Sequence, residues 1–146
     1  VLLASAFILP PGPALAAEEP IGFVRNLSGT ATIVRGSDTI PAAEGLKLQV
    51  GDTLATGPEG SLGAIFRDNS SISMGPGSSF VVRHFEFAPE SGKIGLLIRI
   101  TRGSLAYLSG LIGKISPESA RFETPTATIG IRGTRFAVQV GEDVPQ

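Results

Sequence analysis

The chain has no cysteine and no tryptophan, and only one histidine and one tyrosine. Without cysteine there is no disulfide, no zinc–thiolate site and no thiol nucleophile, so the fold must be held by burial and hydrogen bonding alone. Charge is also scarce: 12 basic residues stand against 13 acidic ones, giving a formal net charge of -1. No basic run is present that would neutralise a row of phosphates, which argues against nucleic acid as a partner. No segment approaches the ~18 uninterrupted apolar residues that a membrane-spanning helix requires.

What is abundant is turn-forming residues, 19 Gly and 11 Pro among 146 positions. That composition points to many short elements and not to long solvated helices. A chain of this length makes one ordinary domain and buries roughly two-thirds of the surface its unfolded form exposes, enough for a core without metal or disulfide. The opening run Val1 to Leu9 is apolar, and Pro10, Pro11 and Pro13 follow before Ala14-Leu15-Ala16. This is the pattern of a secretory signal, with small residues where a signal peptidase reads. Residues 1–17 are therefore expected to be removed on export, leaving a single domain over 18–146. With no cysteine after the expected cleavage site, no lipid anchor is expected, and the mature protein is expected to be soluble.

Beyond residue 20 the apolar residues recur with period two between turn signals. Thr30 to Val34 is rich in β-branched residues and stops at Arg35-Gly36-Ser37-Asp38. Leu62, Ala64 and Phe66 alternate with Ser61, Gly63 and Ile65, and Ile72 and Met74 alternate with Ser71 and Ser73. Val81, Arg83, Phe85 and Phe87 share one face of an extended segment, with Phe80, Val82 and His84 on the other, so both faces carry apolar residues. Ile94, Leu96, Ile98 and Ile100 form the cleanest apolar face, which Leu105 and Tyr107 resume after Arg102-Gly103. Phe136, Val138 and Val140 close the series. The pattern predicts an all-β fold of roughly nine to eleven short strands, arranged as a two-layer β-sandwich or a short irregular β-solenoid. Helix is confined to a turn at Leu111 to Lys114 or at Pro117 to Ala120.

Residues able to carry chemistry are few. His84 lies between Arg83 and Phe85 with no orienting partner in sight, and reads as an edge-strand residue, neither ligand nor base. The serines lack a nucleophile elbow and a base. Asp52 and Asp68 are the one conceivable carboxylate pair, but each sits in a turn sequence where such residues cap their own backbone. No catalytic residue, metal ligand or cofactor site is predicted. Arg132 and Arg135 project near one another at a strand end, either as contacts for an anionic partner or as charges that keep a sheet edge from pairing.

Four blocks together carry a resemblance. Leu48 to Thr56, Phe66 to Met74, Arg102 to Leu105 and Thr124 to Phe136, in this order and spacing, resemble the FecR-domain family over residues of about 28 to 140. The best-known members are periplasmic regulatory domains that report siderophore-receptor occupancy to a cytoplasmic sigma factor through a membrane-crossing segment. This chain more closely resembles the stand-alone exported members, so the sigma-factor activity does not carry over. The resemblance implies a non-catalytic binding or signalling module of the bacterial periplasm or cell surface, with another protein as its partner. A glycan- or cell-wall-binding module is the alternative, and it would show aromatic residues lining a groove.

Overall fold

The computed structural model describes residues 19–130 and 135–141. The expected signal segment, residues 1–17, and Arg132 both lie outside the described residues. About 60% of the chain described is strand and 9% helix, an all-β fold built from one curled, mostly antiparallel sheet. Its strands are β1 (Gly22–Ser28), β2 (Ala31–Arg35), β3 (Asp38–Pro41), β4 (Lys47–Leu48), β5 (Thr53–Thr56) and β6 (Ser61–Phe66). They continue with β7 (Ser71–Met74), β8 (Ser79–Ala88), β9 (Lys93–Leu108), β10 (Ala120–Glu123), β11 (Thr128–Gly130) and β12 (Arg135–Val140). Helix is limited to α1 (Leu111–Ile115) and 3-10 turns at Pro89–Ser91 and Pro117–Ser119. The count of twelve exceeds the expected range because strands as short as β4 and β11, with two and three residues, leave no periodic signal.

The neighbours run β3-β2-β5-β8-β9-β7-β6-β1-β4, with β10 and β12 also paired to β9 and β11 paired to β10. The 16-residue β9 is the key to the architecture. Its first part, up to Arg102, pairs with β8 and β10, and its last part, from Gly103, pairs with β7 and β12. The sheet therefore curls into half a barrel whose two halves face one another across a single core. Phe66 of β6 stacks on Phe85 of β8 with ring centroids 5.7 Å apart, and Tyr107 of β9 meets Phe122 of β10 edge-on at 4.9 Å. The two-layer expectation is met in this form, with both layers belonging to one continuous sheet.

Two bulges explain where strict alternation breaks. Val82 pairs with Ile98 and His84 with Leu97, so Arg83 is an extra residue in β8. The bulge turns Phe85 to the same side as Phe80 and Val82, and all three are buried. What reads in the sequence as a strand with two apolar faces is a strand with one apolar face and a bulge. In β9, Arg102 pairs with Ser79 and Ile100 with Phe80, leaving Thr101 as the extra residue. Gly103 follows with φ of +85°, a left-handed conformation that favours glycine. The inward set accordingly changes from Leu96, Ile98 and Ile100 to Leu105 and Tyr107. A strand that changes layers must bend, and the bulge with its glycine supplies the bend.

Candidate interaction edge

The two aspartates are both buried and both already engaged. Asp52 opens the approach to β5 and accepts from the Gln49 amide at 2.9 Å, the turn-capping role expected of it. It also receives a two-pronged bond from Arg35 at the end of β2, with Nε to Oδ1 at 2.9 Å and Nη2 to Oδ2 at 2.8 Å. That bond to Asp52 raises the guanidinium's pKa further above its ordinary value. Asp68, in the β6–β7 turn, accepts from the Ser70 amide at 3.1 Å and from Ser70 Oγ at 2.6 Å. Its Oδ2 additionally accepts from the Ile112 amide at 3.2 Å, while its carbonyl accepts from the Leu111 amide at 2.7 Å. Gly110 lies so close to this turn that a Cβ there would overlap the Asp68 carbonyl and the Ser70 amide. The two carboxylates share no hydrogen-bond partner, and each ties together parts of the fold distant in sequence.

Neither the clamp from Asp68 to α1 nor the state of Tyr107 was signalled by local sequence. Tyr107 is buried, and among the described residues no partner meets its hydroxyl in hydrogen-bonding geometry. Burial pushes that hydroxyl up to about 12, with the Asp68 charge adding to the effect and the polar groups of Ser70 and Gly110 opposing it. His84 lies exposed on β8 with Nε2 3.7 Å from a Glu86 carboxylate oxygen, but not on an edge strand as expected, since β8 runs between β5 and β9 in the sheet. Among the described residues no three His, Asp or Glu side chains converge as metal ligands.

The site that remains is an edge. Among the described residues four strands pair on one side only: β3, β4, β11 and β12. Natural sheets blunt such edges with proline, charge or brevity. The first ends on Pro41, and the next two have two and three residues. The fourth, β12, runs six residues, and from Phe136 to Val140 it has neither proline nor charge. Arg135 stands exposed at its start, opposite Leu108.

The direction of the backbone groups in β12 follows from β9. The Ser104 carbonyl accepts from the Gly75 amide, and the Ser104 amide donates to Ser78 Oγ, so Ser104 faces the β7–β8 side. Amides and carbonyls alternate sides along a strand, hence Leu105 and Tyr107 face β12. Their partners Val138 and Phe136 face back. Arg135, Ala137 and Gln139 therefore turn their amides and carbonyls away from the sheet, and all three are exposed. Beside this edge, on the outer surface, lies a shallow groove of about 560 Å3 lined by Ser71, Ser73, Ala106, Leu108, Arg135 and Ala137. On the inner side Phe136, Val138 and Val140 pack against the core but are only partly covered.

No curated protein and no solved structure matches the chain. The family model described as FecR protein matches residues 52–145, from the buried Asp52 through β12 and beyond. It thus takes in the long β9, the Asp68 clamp and the open edge, and begins later than the resemblance read from the sequence, so β1 to β4 lie outside it. The chain belongs to the FecR protein family.

Proposed function

We propose that the chain is an exported, non-catalytic binding module that takes up an extended protein segment along β12. The observation that carries this reading is the row of outward backbone groups at Arg135, Ala137 and Gln139 on what is, among the described residues, the one terminal strand neither short nor closed by proline. Strand addition supplies affinity through main-chain bonds and specificity through alternate side chains. Arg135, at the start of that row, is the residue placed to meet an anionic group on the partner. Family membership supports a signalling-related role, and it favours the periplasm as the place where the module works.

The glycan alternative draws less support. A sugar-binding groove needs free aromatic faces, whereas Phe66, Phe80, Phe85, Phe122 and Tyr107 are buried in the core. Among the described residues Phe23, 44% exposed, is the one aromatic turned outward.

A photo-cross-linking residue placed at Gln139 in the exported protein tests the reading. Adducts to protein are expected, and they should disappear when Ala137→Pro is added, because proline there removes an outward amide without removing a bond to β9. Adducts that are absent, or that persist unchanged with Ala137→Pro, overturn it.

A further inference from the structure

We infer that the segment seated on β12 is the β12 of a second copy, paired antiparallel to make a symmetric dimer. The inference rests on β12 being the docking edge and goes on to name its occupant. Two features of the strand are self-complementary.

The first is the backbone. Antiparallel pairing about Val138 sets Ala137 opposite Gln139 of the second copy and Gln139 opposite Ala137. Both have their amides and carbonyls turned outward, so each donor meets an acceptor. The second is the inner surface. The same register sets Phe136 against Val140 of the second copy and Val138 against Val138. These are the partly covered residues of the core's rim, and aromatic with β-branched is a favourable cross-strand pair.

Sedimentation velocity across a dilution series tests this on the protein as it exists. The wild type is expected to dimerise reversibly. Ala137→Pro should be monomeric with an unchanged far-UV circular dichroism spectrum. Gln139→Pro, which removes the other outward amide of the pair, should likewise be monomeric, whereas Gln139→Ala should leave the dimer intact, a contrast that a merely destabilised fold would not show. A wild type that stays monomeric throughout, or a dimer that survives Ala137→Pro, overturns the inference. The Gln139 cross-link separates this from the docking reading: adducts to a different protein with a monomeric wild type reject the self-pair while keeping β12 as a docking edge.

Discussion

Ser78 and Ser104 hold each other reciprocally: the Ser104 amide donates to Ser78 Oγ at 2.9 Å, and Ser78 Oγ reaches the Ser104 carbonyl at 3.1 Å. Thr56 completes the knot, its Oγ1 accepting from the Ser78 amide at 2.9 Å and donating to the Gly75 carbonyl at 2.7 Å. These bonds lie beside Gly103, at the point where β9 leaves one layer for the other. Ser78→Ala strands the Ser104 amide, and a loss of about 1–3 kcal/mol is expected. Gly103→Ala should cost more, since it adds left-handed strain and drives a Cβ into the Ser78 backbone. Urea midpoints of the two variants check the order.

Arg35→Ala leaves the Asp52 carboxylate buried with only the Gln49 amide as a side-chain partner. Breaking a fully buried pair costs about 3–5 kcal/mol. Here the Arg35 side chain is 32% exposed, so water softens the loss and about 2 kcal/mol is expected. Arg35→Lys should recover only part of it, because an ammonium cannot make the two-pronged bond. Chemical denaturation of both variants gives the comparison.

Tyr107 makes stability depend on alkaline pH. Its folded pKa of about 12 lies above the ordinary 10.0. The folded state therefore favours the protonated hydroxyl, and the contribution is complete below pH 10 and disappears as pH rises towards 12. A decline of about 2 kcal/mol across that window is expected from a shift of this size. Tyr107→Phe should abolish the decline. At neutral pH the same variant should be neutral or slightly stabilising, since among the described residues nothing meets the hydroxyl it removes in hydrogen-bonding geometry.

Ile98 and Arg135 test which faces point inward. Ile98 is fully buried in the middle of β9, so Ile98→Asp sets an unpaired charge in the core and should cost several kcal/mol out of a total of about 5–15. Arg135 is exposed, and Arg135→Ala should stay within about 0.5 kcal/mol in unfolding experiments. The reverse ranking would mean that the inward and outward sides of these strands are exchanged.

The fold class was legible because the inward face of most strands is a simple alternation, as at Leu62, Ala64 and Phe66 or Leu96, Ile98 and Ile100, all buried. The turn roles of Asp52 and Asp68 were legible too, since such capping is local in sequence. What local pattern does not encode is a residue that pairs with nothing. Arg83 inserts one position into β8, and every later side chain of that strand changes sides, which made one apolar face read as two. Contacts across long sequence separations were equally silent: Asp68 and Ile112 are 44 positions apart, and Arg35 and Asp52 are 17 apart. Of the two arginines marked in the sequence, Arg135 lies at the open edge, and its setting depends on β9, which no reading of residues 130–140 alone would supply.

The passage of β9 through both layers bears on how the molecule comes apart. Sheets that meet only through side chains can loosen separately, as independent opening units. Here the two layers share one unbroken length of backbone, so neither can lose its central strand without taking the other's with it. Amide protons of β9 on the two sides of Gly103 should therefore exchange with deuterium at the same free energy, that of whole-molecule unfolding, while those of β3 and β11 exchange sooner. The bend that shapes the half-barrel also makes it a single cooperative object.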